Sequence, residues 1–211
     1  MRINTIRLRT MIGWLGMLLP WIVVILNLAF PPSISSTYYI ATCITPFMII
    51  LGSASLLLIS YKGYDWKDDL VLTSSGVAGL CICLFPCTPS NVLDSIISLA
   101  GGAFGIPVAA SNIIHFVSAI IFFALLAYNS IFLFTKTSGE MTKKKKIRNI
   151  IYRVCGIGML ASFLILLIPH FFIQVWLVEA IALFFFGISF LTKANTYSWL
   201  ACDTKEEKNN E

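Results

Sequence analysis

Six long apolar runs divide this chain, and all fifteen of its Lys and Arg residues fall on one side of that division. Arg2, Arg7 and Arg9 precede the first run, and Lys62 and Lys67 lie between the second and third. Lys136, Lys143 to Lys146, Arg148 and Arg153 lie at the junction of the fourth and fifth, and Lys193, Lys205 and Lys208 follow the sixth. The connectors after runs one, three and five carry no Lys or Arg. Basic residues are held on the cytoplasmic side as a membrane protein inserts, so this asymmetry fixes topology. It predicts an all-α bundle of six transmembrane helices in a cell (inner) membrane, with both termini cytoplasmic.

Composition agrees. Hydrophobic residues make up 58% of the 211 residues and charged residues 12%, where a soluble domain carries about a quarter charged. Six spans of about 20 residues use roughly 120 residues, which leaves short loops and no soluble domain. The expected spans are about 11–30, 38–60, 70–85, 112–134, 147–168 and 171–192, followed by a short polar tail, 193–211. The net charge of +5 is assigned to residues at the membrane surface, where they meet anionic headgroups. Nucleic acid is not an expected partner. The first thirty residues have the outline of a secretory signal peptide. Pro20, Trp21 and the Pro31-Pro32 pair, standing where a small-x-small cleavage site would be, favour a retained first span.

The longest non-basic connector, 86–111, holds Asp94 among apolar residues at helical spacing. It reads as an interfacial or re-entrant segment on the outer face. As a seventh span it would put the four-lysine run outside. The inner connector 135–146 reads as flexible and basic. The six cysteines lack zinc-ligand spacing. Cys43 and Cys87 both fall near outer ends of spans and are read as packing residues, with a disulfide as the alternative. Cys202, just beyond the last span, is a weak acylation candidate.

Ionisable groups at membrane depth are costly and mark functional sites by default. Glu179 is the acid inside a span core; His115 and His170 fall on the outer side, as does Asp94. Counting from Lys193 and Lys136 at 1.5 Å per residue puts Glu179 about 21 Å and His115 about 31 Å above the inner boundary, a difference of about 10 Å. His115, Ser118, Phe122, Leu125 and Asn129 share one helical stripe, and Glu179, Ala182, Phe186 and Ser189 share another. Stripes of small and polar residues face neighbouring helices, as do Thr73, Ser74, Ser75, Gly76 and Gly79 on span three and Gly156, Gly158 and Ser162 on span five. Packing explains most of these residues.

Specific machines fit poorly. No HExxH or HxxxH pattern supplies a metal site, no GxSxG elbow supplies a nucleophile, and one span histidine does not make a transmembrane haem site. No cofactor and no metal are expected. The segments RTMIGWLGMLLP, SISSTYY, YKGYDWKDD, LFP, IHFVSA, LFTK and KKKKIRNIIYRVCG occur in that order. Together they resemble an uncharacterised bacterial family of six-span inner-membrane proteins. The layout is also similar to the FRAG/DRAM/SFK-like membrane proteins, which have few spans and small outer loops. The resemblance implies membrane location and six helices, and carries over no catalytic residue.

Three functions follow as expectations. The leading one is a non-enzymatic protein that binds a membrane lipid or small amphiphile in a pocket facing the outer leaflet. That pocket would be lined by His115, Glu179, and by Asp94, His170, Tyr38 or Tyr39, and would serve sensing, scaffolding or lipid handling. The second is an enzyme acting on a lipid, with Glu179 or His115 as acid or base. The third is a proton-coupled transporter with Glu179 as carrier. The sequence leaves homo-oligomerisation open.

Overall fold

A computed structural model describes residues 5–63, 65–89, 104–137, 141–165 and 174–200, and these contain six α-helices and no strand. They are α1 (Thr5–Asn27), α2 (Ala41–Ser60), α3 (Trp66–Leu84), α4 (Val108–Tyr128, continuing through a π turn at Asn129–Leu133), α5 (Lys143–Ile165) and α6 (Val175–Lys193). A 3-10 segment, Ser35–Tyr39, lies between α1 and α2. Each helix packs on its neighbour in sequence, and α1 packs on α6, so the six form a closed ring.

Five helices are long and apolar enough to cross a membrane. The exception is α3, whose first turn holds Lys67, Asp68 and Asp69. Its apolar part, Leu70–Leu84, has fifteen residues and extends only about 22 Å. Yet α3 packs against both α2 and α4.

Polar contacts at the helix ends show that the helices alternate in direction. At one pole, Arg9 of α1 donates to the Tyr61 hydroxyl after α2 (2.7 Å) and to the carbonyl of Lys193 at the end of α6 (3.2 Å). There too Lys136, beyond α4, pairs with Asp65 and Asp68 at the start of α3. At the other pole, the loop after α1 meets the start of α6, where Trp176 N–H donates to Pro32 O at 3.2 Å. The basic helix ends therefore share one pole, here called inner.

Close approach at glycines holds the ring together. A Cβ on Gly187 would lie 2.8 Å from the Gly13 carbonyl oxygen, so α1 and α6 cross backbone to backbone. Gly76 and Gly79 of α3 meet Ser55 of α2, and Gly156 of α5 meets Ala127 and Ile131 of α4. Small residues permit such approach between membrane helices. Of the expected stripes, His115, Ser118, Phe122 and Asn129 are buried on α4, and Ala182, Phe186 and Ser189 on α6; Leu125 and Glu179 are half-buried.

Several boundaries differ from the sequence reading, for local reasons. Asp65 caps α3, accepting from the N–H groups of Lys67 and Asp68 at 3.0 Å, so α3 begins four residues early. The Lys143–Lys146 run is the first turn of α5 and not part of a loop. Thr142 Oγ1 accepts the Lys145 N–H at 3.1 Å there. Pro107 precedes α4, which starts in what was read as connector. Its fixed backbone angle and missing donor suit that position. Tyr38 and Tyr39 lie in the 3-10 segment and not on span two. Four of the basic residues assigned to the headgroup region, Arg9, Lys145, Arg148 and Lys193, are buried. Cys43 and Cys87 are free and buried, and Cys43 Sγ lies 3.5 Å from the Val23 carbonyl oxygen.

Candidate functional site

The outer half of the ring encloses a cavity of about 740 Å³. Its floor and sides are apolar: Leu19 of α1, Phe47 and Leu51 of α2, Ile82 of α3, Phe122 and Phe123 of α4, Phe163 of α5, and Leu183 of α6. Its outer end is polar, with Ser33, Ser35, Ser36, Thr88, Asn112, His115 and Glu179. Phe116, Ile120, Leu164 and Val175 also line it while being exposed on the bundle's surface. The cavity therefore reaches the lipid-facing side among α4, α5 and α6.

Glu179, in the second turn of α6, holds the outer loop. Its Oε2 accepts the backbone N–H of Ile34 at 2.5 Å, and its Oε1 accepts from Ser35 Oγ at 3.5 Å. The loop is also folded on itself. The N–H of Ser36 donates to Ser33 Oγ (2.9 Å), and Ser36 Oγ donates to Ser33 O (2.8 Å). Short hydroxyl side chains satisfy loop backbone in this way. Phe30 stacks on Trp176 with ring centroids 4.5 Å apart, fixing the loop to the start of α6.

His115 holds the opposite wall. Its Nδ1 lies 2.8 Å from the Phe85 carbonyl oxygen just past α3. A carbonyl only accepts, so Nδ1 carries the proton. Neighbouring contacts repeat the motif: Ser111 Oγ donates to Pro86 O (2.8 Å), and the Thr88 N–H donates to Asn112 Oδ1 (2.8 Å). The first two turns of α4 thus take up the backbone that leaves α3.

The sequence-predicted residues divide into three groups. Glu179 and His115, expected from the sequence to differ in height by about 10 Å, line the same cavity. Tyr38 and Tyr39 stand beside it, edge to face with centroids 5.4 Å apart, and Tyr39 Oη donates to Cys87 O at 2.6 Å. Tyr39 thereby ties the loop to the segment after α3, and neither tyrosine is among the lining residues. Asp94, His170 and Cys202 lie outside the described residues, as does most of the 86–111 connector. Sequence reasoning missed Ser33, Ser35, Ser36, Thr88 and Asn112. The SISS run after Pro31-Pro32 was the available signal for the first three.

Both titratable groups are already engaged with backbone, so the arrangement offers a polar rim above an apolar chamber. Among the described residues no three of His, Cys, Asp and Glu converge as metal ligands. No family model, curated protein or solved structure matches this chain.

Proposed function

We propose that this protein is a six-span membrane protein that binds a lipid or small amphiphile in the cavity of its outer half. The observation that carries this reading is the cavity itself: apolar walls, a polar rim and a side reaching the lipid-facing surface. Its volume falls within the range of about 300–1,000 Å³ usual for ligand pockets. Left empty, apolar walls of this extent would forgo the dispersion contacts that an occupant supplies. Such a chamber has to be filled, and the bilayer supplies amphiphiles at high concentration.

Orientation is part of the proposal. The described Lys and Arg residues gather toward the inner pole, so that pole is cytoplasmic by the rule governing basic residues. The cavity then faces the outer leaflet, α3 crosses as the sixth span, and the cell (inner) membrane is the location. An enzymatic reading is less favoured because Glu179 and His115 Nδ1 are committed to backbone partners.

Native mass spectrometry of the gently solubilised protein tests the reading. Wild type should carry a discrete amphiphile mass. Ala119→Phe puts a ring into the cavity from α4 and should lower its occupancy about tenfold. Glu179→Gln, which keeps an acceptor for Ile34, should weaken retention while the bundle stays folded. No bound mass in wild type, or equal occupancy in Ala119→Phe, would reject it.

A further inference from the structure

The outer cavity is built without a basic anchor. Its polar end carries one acid, Glu179, and no Lys or Arg is among its lining residues. The sequence extends this beyond the lining itself. No Lys or Arg occurs in 10–61, 68–135 or 154–192, and these stretches supply every lining residue. They also contain the connectors 86–111 and 166–173, so no part of the chain that joins helices at this end brings a Lys or Arg to it. The acids in those stretches are Asp68, Asp69, Asp94 and Glu179, of which the first two belong to the inner start of α3.

The hydrogen bonding around Glu179 is correspondingly one-sided. Its donors among the described residues are the N–H groups of Ile34 and Ser35 and the Ser35 hydroxyl, all of them neutral. A carboxylate accepts at about four sites. The Ser35 hydroxyl fills its site only loosely, because it stands 3.5 Å from Oε1. Across the same cavity His115 gives its Nδ1 proton to the Phe85 carbonyl, which leaves Nε2 of the neutral ring as an acceptor. The rim therefore has acceptors to offer an occupant, and its one acid lacks a cation.

We propose that the outer cavity selects a single-chain amphiphile with an ammonium head and turns away anionic heads. This selectivity rests on the reading of the cavity as an amphiphile site and adds the chemistry of the occupant. An ammonium group carries three donors and no acceptor, and it brings the charge that Glu179 lacks. Charge-assisted hydrogen bonds of this kind are stronger than neutral ones. A hydroxyl head can donate to the same acceptors but leaves the charge unmatched. A phosphate head only accepts once ionised, and it would stand beside a carboxylate with no Lys or Arg to offset the repulsion. The volume of about 740 Å³ suits one chain lying along Leu19, Phe47, Phe122 and Leu183. Its end can leave past Phe116 and Leu164, which line the cavity and are exposed on the bundle's surface.

The test compares three heads on one chain: dodecylamine, dodecanol and dodecyl phosphate. Each is added at neutral pH to the full chain in nanodiscs of zwitterionic lipid, and native mass spectrometry reads its occupancy. Ala119→Phe, whose added ring fills part of the cavity, gives the background from bilayer and surface binding. Dodecylamine should bind at least about tenfold tighter than dodecyl phosphate, the scale of one hydrogen bond to a charged group, with dodecanol between them. Glu179→Gln should bring the amine down to the level of the alcohol and leave the alcohol unchanged. Should that variant fail to fold, the order of the three heads in wild type still decides. Equal or reversed order above the background overturns the ammonium preference and leaves the cavity standing as an amphiphile site. An amine preference that folded Glu179→Gln retains also overturns it, because the head would then rest on another acceptor. No binding above the background by any of the three would remove the amphiphile site together with its selectivity.

Discussion

The Glu179 carboxylate accepts the backbone N–H of Ile34, a residue 145 positions earlier in the chain. This bond joins α6 to the loop between α1 and α2, on the side where α1 and α6 close the ring. An acid at membrane depth therefore has a structural task as well as a place on the cavity rim, since it satisfies backbone donors that lipid could not.

Removing that acceptor should release the loop without unfolding the bundle. In Glu179→Ala the amides of Ile34 to Tyr39 should exchange with deuterium markedly faster than in wild type. Glu179→Gln should stay close to wild type because its carbonyl oxygen still accepts. Uniform exchange across all three proteins would show that Phe30, Trp176 and Tyr39 hold the loop unaided.

His115 makes a comparable bond on the opposite wall. His115→Ala would leave the Phe85 carbonyl without this donor, at a cost of about 1 kcal/mol, the scale of a side-chain hydrogen bond between membrane helices. His115→Asn presents an amide N–H where Nδ1 stood and should recover part of the loss. Thermal unfolding in one detergent checks the order: wild type, then Asn, then Ala. If Asn were no better than Ala, the ring's packing would be what matters and not its bond to Phe85.

At the inner pole, the backbone N–H of Asp68 and then the Lys136 ammonium hold the Asp65 carboxyl below its ordinary value. A depressed carboxylate adds stability above its unfolded value of about 3.9 and loses it as pH falls through the lower folded value. The contribution should therefore be constant from neutral pH down to about 5 and fade below about 4. Because Asp65 is exposed, the effect should be small and weakened by salt. Melting temperatures of wild type and Asp65→Asn should converge as the pH drops from 7 to 3. Parallel curves over that range would contradict the assignment.

Much of this was legible from spacing. The stripes on α4 and α6 follow from helical periodicity, and the shared basic pole follows from where Lys and Arg interrupt the apolar runs. Helix starts were less legible because single capping contacts set them, as Asp65 and Thr142 show. The partners of Glu179 and His115 are backbone groups of distant segments, and side-chain identity carries no signal for a main-chain N–H or carbonyl. The burial of Arg9, Lys145, Arg148 and Lys193 was hidden for another reason. A charge next to an apolar run reads the same whether it meets headgroups or turns inward, and only the packing of four helices distinguishes the two.

Ring closure gives the sharpest structural prediction. A Cβ at Gly187 would fall 2.8 Å from the Gly13 carbonyl oxygen and 2.9 Å from Met17 Cβ, so backbone blocks it on one side. Gly187→Val must push α1 away from α6, and overpacking of this kind costs about 1–3 kcal/mol. The inner contact of Arg9 with the Lys193 carbonyl and the outer contact between Phe30 and Trp176 both span this seam. Strain there should therefore lower the melting temperature and also speed exchange in the loop that Glu179 anchors. Gly52 of α2 is the control, since a Cβ there meets nothing within 4 Å, and Gly52→Ala should be neutral or slightly stabilising. Equal melting temperatures for Gly187→Val and Gly52→Ala would mean that α1 and α6 do not pack as closely as described.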